Sequence, residues 1–203
     1  MSGKPDDGAC QPLEALGSAG TEAERALCAE LEEAAADLEQ SDVACVIPEI
    51  GANLAYALPE ARRLEEVAGI PGRLIAVRGR VARVGRAAMG GSRHMGRTLL
   101  MVREYFPEAR CVINLRNNEV VRRALAGLPW RVADMPPVEG YRQTDEDWKR
   151  DLRATMAACQ ELPDVIAIPD RLNLERLVLV LGKSLQETVE KVKLLAHAVR
   201  EQG

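Results

Sequence analysis

Two stretches of this chain, residues 74–84 and 164–181, each hold a pair of strand-like runs joined by a short connection. A parallel crossover needs about a dozen residues or more between its strands, usually a helix. These connections are too short for one, so each pair must run antiparallel. Elsewhere strand-like runs alternate with capped helices, which calls for helices layered on a sheet. Together these constraints predict an α/β fold, a three-layer α/β/α arrangement on a mixed central sheet.

The helices are marked by their first turns. Thr21-Glu-Ala-Glu24 is a capping box, and the helix it opens runs to about Gln40 with Leu27, Leu31, Ala34 and Leu38 on one face. Thr144-Asp-Glu-Asp147 opens another, to about Glu161, with Trp148, Leu152, Thr155 or Met156 and Cys159 as its apolar stripe. Ser184-Leu-Gln-Glu187 opens a terminal helix to about Arg200, in which His197 reads as a structural residue. Asn117 or Asn118 caps a helix that ends at Gly127. Strands are expected at 43–47, 53–58, 74–78, 80–84, 110–115, 131–133, 164–168 and 176–181. The segment 59–69 reads as a short helix with Leu64, Val67 and Ala68 inward. Trp130, Tyr141 and Trp148 read as packing residues. Residues 1–20, rich in Gly, Asp, Pro and Ser, read as a disordered tail. That leaves 21–203 as a single domain that includes its N-terminal helix.

Charge narrows the function. The chain carries 27 Lys and Arg against 31 Asp and Glu, a net charge of −4. A general nucleic-acid binder needs a basic field, so no nucleic-acid partner is expected. No apolar run is long enough for a membrane span, and no charged-then-apolar leader is seen, so a cytoplasmic protein with no membrane partner is expected. The five cysteines, Cys10, Cys28, Cys45, Cys111 and Cys159, are odd in number and widely spaced. They suit neither a disulfide framework nor a zinc site; Cys45 and Cys111 read as small core residues.

One short segment stands out against this acidic background. Met89-Gly-Gly-Ser-Arg-His-Met-Gly-Arg97 holds Ser92 at an N-cap position, with Arg93, His94 and Arg97 near the first turns of the helix that follows. A helix start already presents unpaired N–H groups and partial positive charge. Cations placed there oppose the dipole by about 0.3–1 kcal/mol each. The arrangement makes sense when the ligand carries phosphate. A second cation, Arg73, follows the tight turn Gly69-Ile-Pro-Gly72 at the mouth of a strand, from where it can reach a ligand over the sheet end. Asn114 and Arg116 close a buried strand and Asn53 opens another. For both asparagines, ligand binding and a backbone-satisfying role stand as equal alternatives.

The runs Ile47-Pro-Glu-Ile-Gly51, Asn53-Leu-Ala-Tyr-Ala-Leu-Pro59, Val67-Ala-Gly-Ile-Pro-Gly-Arg73, Gly91-Ser-Arg-His94, Val112-Ile-Asn-Leu-Arg116 and Pro163-Asp-Val-Ile166 resemble the ThiN family. This is the archaeal-type thiamine-phosphate synthase domain, often fused behind a hydroxymethylpyrimidine phosphate kinase and sometimes found alone; the stand-alone form is expected here. The similarity runs in order over roughly residues 25–200. It implies a fold similar to class II aldolases and epimerases. It implies the joining of hydroxymethylpyrimidine diphosphate to hydroxyethylthiazole phosphate, with release of pyrophosphate. It also implies that Arg73 and His94 are the catalytic pair. Ser92, Arg93, Arg97, Asn53, Asn114 and Arg116 are then the candidate substrate-binding residues. Mg²⁺ is the expected helper. With no Asp-x-x-x-Asp or similar cluster to announce a protein metal site, it would be held by the phosphorylated substrate.

Departures from the family pattern lie at Ala87-Ala-Met-Gly90 and at Ile168-Pro-Asp-Arg-Leu-Asn-Leu-Glu175. The alternative function is a non-catalytic, thiamine-phosphate-binding regulatory module. Such modules lack catalytic residues that this chain keeps at Arg73 and His94, and the region before residue 40 is too small for a helix-turn-helix. A zinc aldolase would need a histidine cluster that two distant histidines do not provide. Homo-oligomerisation is left open.

Overall fold

Runs of alternating side chains decide the architecture, because successive residues of a strand face opposite sides of its sheet. The computed structural model describes residues 20–137, 144–169 and 176–202. The strands are β1 (Leu54–Ala57), β2 (Val67–Gly69), β3 (Leu74–Val77), β4 (Arg80–Arg83), β5 (Ala88–Met89), β6 (Cys111–Arg116), β7 (Val132–Asp134), β8 (Val165–Ala167) and β9 (Leu177–Gly182). The α-helices are α1 (Glu22–Gln40), α2 (Arg93–Arg103), α3 (Glu119–Ala126), α4 (Asp145–Ala158) and α5 (Leu185–Arg200). A seven-stranded sheet runs in the order β5-β2-β1-β6-β9-β8-β7. Its neighbours are antiparallel except β7 and β8, which run parallel. The expected mixed sheet is therefore present.

Each face of the sheet buries its own apolar set. Leu54, Tyr56, Ile113, Leu115, Val178 and Val180 point to the side covered by α1, α3 and α5. Ala55, Ala57, Val112, Leu179 and Leu181 point to the other side, covered by α2 and α4. This alternation makes the three layers. Two capping boxes form as the sequence indicates, Thr21 with Glu24 and Thr144 with Asp147. Asn118, rather than Asn117, caps α3 by accepting from the Val121 N–H at 3.0 Å.

Three local expectations are corrected. The segment 43–47 is a turn of 3₁₀ helix at Ala44–Val46, because the chain must reverse between α1 and β1 while burying Val43, Val46 and Ile47. The segment 59–69 is a 3₁₀ turn at Leu64–Glu66 followed by β2. Val67, Ala68 and Gly69 gain a ladder with β1, which outweighs the weak helical tendency of a short stretch ending in glycine. Residues 74–84 pair as expected but stand apart as a β3–β4 hairpin. Its two-residue loop has Arg78 at φ 50° and Gly79 at φ 76°, the positive pair that a tight hairpin of this twist requires. Cys111 is buried as expected, whereas Cys45 lies in the 3₁₀ turn and is only partly covered. His197 lies on the outer side of α5, where its Nε2 is 3.2 Å from Glu201. The expected tail at 1–20, apart from Gly20, lies outside the described residues, as do Tyr141 and most of the departure at 168–175.

An ion cluster fastens α5 beneath the sheet end formed by the start of β8 and the end of β9. Lys191, almost wholly buried, donates to Leu181 O at 2.8 Å and to Glu187 at 2.6 Å, and lies 2.8 Å from Asp164. Burial alone would raise the pKa of Asp164, but the Lys191 contact and the Arg131 backbone N–H hold it below the ordinary carboxylate value. A carboxylate depressed in the folded state stabilises above its unfolded pKa, about 4, and loses that contribution as pH falls through the folded value. Asp164→Asn should cost about 1–3 kcal/mol at neutral pH. In chemical denaturation the gap between parent and variant should close as pH falls below about 4; a gap independent of pH would remove Asp164 from the linkage.

Candidate active site

The end of the sheet opposite Lys191 carries the polar residues. It is formed by the start of β1, the ends of β2, β6 and β8, and the start of β9. Asn53 and Asn114 lie buried here and bind backbone. Asn53 N–H donates to Asn114 Oδ1 at 2.7 Å, and Asn114 Nδ2 donates to Gly51 O at 3.1 Å. Asn53 Nδ2 donates to Ile70 O at 3.0 Å while its Oδ1 accepts from the Ile70 N–H at 3.3 Å. Of the two alternatives, their contacts in this structure match the backbone-satisfying one. They join the 51–53 loop to the ends of β2 and β6.

That loop carries Arg73. The Arg73 guanidinium donates to Ile50 O. Gly51, at φ 81°, leaves room for the arginine stem, since a Cβ there would fall 3.2 Å from Arg73 Cβ and 3.3 Å from its Cδ. Arg73 itself sits at φ 74°. A side chain in this left-handed region costs of order 1 kcal/mol, and such strain concentrates at functional positions. The residue follows a β-strand, not the helix end expected from sequence.

The second element is the start of α2. Ser92 occupies the N-cap position and is 9% exposed, but its side chain makes no capping bond. It is pressed instead against Gly69, where a Cβ would lie 2.7 Å from both Ser92 Cβ and N. The expected capping role of Ser92 is thus corrected: close packing on β2 leaves its hydroxyl unused as a cap. The first turn of α2 consequently lacks the side-chain acceptor that Thr21 and Thr144 give α1 and α4. Arg93 and Arg97, one turn apart, are both exposed.

His94 joins the two elements. Its ring lies against Trp148 of α4, centroids 5.3 Å apart and tilted by 45°. The residue is exposed overall, but desolvation of the ring pushes its pKa below the ordinary histidine value. Asp145 opposes this, while the positive charges of Arg73 and Arg97 add to it. The imidazole and both guanidiniums therefore occupy one electrostatic neighbourhood although they come from different loops. Sequence reading missed the partners from α4. Trp148 and Asp145 sit where a stripe and a capping box predict packing and solvent, and only the tertiary placement of α4 against α2 brings them to His94.

Arg116 ends β6. It lines a cleft of about 460 Å³ with Glu49, Asn117, Asn118, Glu119 and Arg176 at the start of α3. The cleft and the Arg73 turn meet at the Glu49–Ile50 peptide. Among the described residues no group of three or more His, Cys, Asp or Glu could hold a metal ion. The donor chemistry around His94 is cationic, which does not fit a resident Mg²⁺.

Known proteins share this framework. The family described as thiamine-phosphate synthase ThiN matches residues 30–194. The bifunctional thiamine biosynthesis protein ThiDN of Methanocaldococcus jannaschii is 27% identical over 161 residues, 74% of this chain, which spans only 36% of that protein. The crystal structure of a C-terminal domain of phosphomethylpyrimidine kinase superposes with a TM-score of 0.76 at 26% identity, over 84% of this chain and 98% of that one. An aldolase II superfamily protein from Pseudomonas syringae, 14% identical, shares the fold alone, with a TM-score of 0.56 over 90% of this chain and 77% of its own. With the family matched across most of its length, this chain belongs to the thiamine-phosphate synthase ThiN family.

Proposed function

We propose that this protein acts in thiamine biosynthesis as a thiamine-phosphate synthase. It would join hydroxymethylpyrimidine diphosphate to hydroxyethylthiazole phosphate and release pyrophosphate. The thiazole nitrogen forms a bond to the pyrimidine methylene carbon, and the bond from that carbon to the diphosphate oxygen breaks with its electron pair on the diphosphate. The aminopyrimidine ring helps that carbon ionise. The protein's task is then to stabilise a departing polyanion, work suited to fixed cations and oriented N–H groups.

The observation that carries the reading is the convergence of Arg73, His94 and Arg97 at an α2 start without a side-chain cap. Arg73 and Arg97 supply full positive charge to the diphosphate, with Arg93 on the same turn. The first-turn N–H groups of α2 supply donors that no side chain has claimed. His94, its pKa held down, is neutral at pH 7 and donates a hydrogen bond through a ring N–H. Mg²⁺, when present, arrives with the diphosphate and offsets part of its charge.

Purified protein given both substrates and Mg²⁺ should yield thiamine phosphate and pyrophosphate. Binding of thiamine phosphate without turnover would instead identify a regulatory module. Arg73→Ala should lower the rate by about 10²–10³, and a loss below about threefold would make the residue structural. Arg73→Gly separates the two roles more sharply. It relieves the left-handed strain, which offsets the greater freedom of glycine in the unfolded chain. Its melting temperature should stay within a few degrees of the parent's while activity is lost; a matching fall in both would indicate a scaffold arginine.

For His94, kcat/KM should be level through pH 7–8 in the parent, because an imidazole with a depressed pKa stays neutral there. His94→Gln should lower the curve without changing its shape over that range. A parent curve that falls as pH rises through 7, with the limb missing in His94→Gln, would make imidazolium the proton donor and overturn the neutral-donor assignment.

A further inference from the structure

Between Glu66 and Glu104 the chain carries eight arginines and no acidic residue: of 27 Lys and Arg, eight lie here, and of 31 Asp and Glu, none does. Three of these arginines have structural partners. Arg83 pairs with Glu32 and Glu39 of α1 and holds the β3–β4 hairpin in place. Arg103 donates to Ala109 O and Pro59 O. Arg73 donates to Ile50 O. The other five, Arg78, Arg80, Arg86, Arg93 and Arg97, are exposed, and among the described residues none of them forms an ion pair.

The hairpin is fixed to the Arg73 turn at both ends. Leu74 N–H donates to Ala52 O at 2.7 Å, and Val84 N–H donates to Arg73 O at 3.1 Å. Gly85 packs on Pro71 O; Arg86 follows, and the next N–H, of Ala87, donates to Glu32 of α1 before β5, the strand beside β2. The base of the hairpin therefore adjoins the Arg73 turn, with Arg78 and Arg80 at its far end and Arg86 on the segment that leads from it to β5. Exposed arginines with no ion-pair partner leave their positive charge facing solvent. Such a field raises the capture rate of oppositely charged ligands.

We infer that Arg78, Arg80 and Arg86 form an electropositive approach to the site that speeds capture of a polyanionic, diphosphate-bearing substrate without touching it in the bound state. The inference rests on the synthase reading for the identity of the anion only. These residues act through charge at a distance, so their effect belongs to association and not to the bond-breaking step. It is strongest when the screening length is long, about 30 Å at 0.01 M salt, and weak at 0.15 M, where it is about 8 Å.

The test compares the parent with two triple variants, Arg78→Asn/Arg80→Thr/Arg86→Gln and Arg78→Lys/Arg80→Lys/Arg86→Lys. Asn is chosen at 78 because it tolerates a positive φ, and Thr at 80 because it suits a strand. Melting temperatures establish that each variant folds. Stopped-flow association of inorganic pyrophosphate and kcat/KM for synthesis are read at both salt concentrations. The neutral triple should lose about three- to tenfold in both at low salt, with a shallower salt dependence and unchanged kcat. The lysine triple should follow the parent. Equal rates and slopes for the neutral triple and the parent would overturn the inference, as would a lysine triple that falls with the neutral one. A parent that makes thiamine phosphate while the neutral triple matches it leaves the synthase reading standing without the approach. A parent that captures pyrophosphate with the expected charge dependence but makes no product keeps the approach and removes the synthase.

Discussion

Everything at the working end of this molecule depends on two buried amides. Strand ladders hold the middle of the sheet, but at its end the strands diverge into loops and their backbone groups need other partners. Asn53 and Asn114 supply them, binding one another and the backbone of Gly51 and Ile70. An unsatisfied buried amide costs about 1–3 kcal/mol, so this arrangement is strongly specified. It sets the path of the Ile50–Gly51 loop, and that loop in turn orients the guanidinium of Arg73. Asn53 and Asn114 thus form part of the frame on which the Arg73 guanidinium is mounted.

The arginines at this end fall into two kinds, separated by their acceptors. Arg83 meets the carboxylates of Glu32 and Glu39, and its charge is spent joining the hairpin to α1. Arg73 meets a carbonyl oxygen, which fixes its orientation but leaves its charge intact. For the role proposed for Arg73, facing an anion, a carbonyl is the better anchor, since a carboxylate would have to be displaced or would oppose the ligand. The pKa of His94 is lowered first by desolvation of its ring, and the same choice adds to that effect. With the positive charges of Arg73 and Arg97 nearby, a third positive charge beside Trp148 is further disfavoured.

Much of the frame was legible because helix starts and buried strands announce themselves locally. Thr21 and Thr144 form the boxes that their spacing indicates, and β6, β8 and β9 fall where apolar runs place them. The failures share one cause. At 59–69 a short stretch that would make a poor helix is taken into the sheet as β2, and at Ser92 a good cap residue is turned away from capping by the approach of Gly69. In both places a contact from elsewhere in the fold outweighs a local preference worth about 1 kcal/mol or less. The glycine at 69 looked like a helix stop, and its real role, admitting α2 onto β2, is written only in three dimensions.

The same reasoning explains why the site is half visible in sequence. Arg73, His94 and Arg97 can be singled out because cations at a turn and at a helix start make little sense without an anion to meet them. Trp148 and Asp145 cannot, because each has a satisfactory local explanation as a stripe residue or a first-turn acid. Their contribution arises from where α4 lies. By crowding the imidazole from one side and offering a negative charge from the helix start, α4 tunes a residue on α2 with which it shares no sequence pattern. For the proposed polyanion site, cations can be displayed openly along the chain, but the elements that tune the imidazole among them come from a distant segment, since an acid placed next to them in sequence would offset their charge.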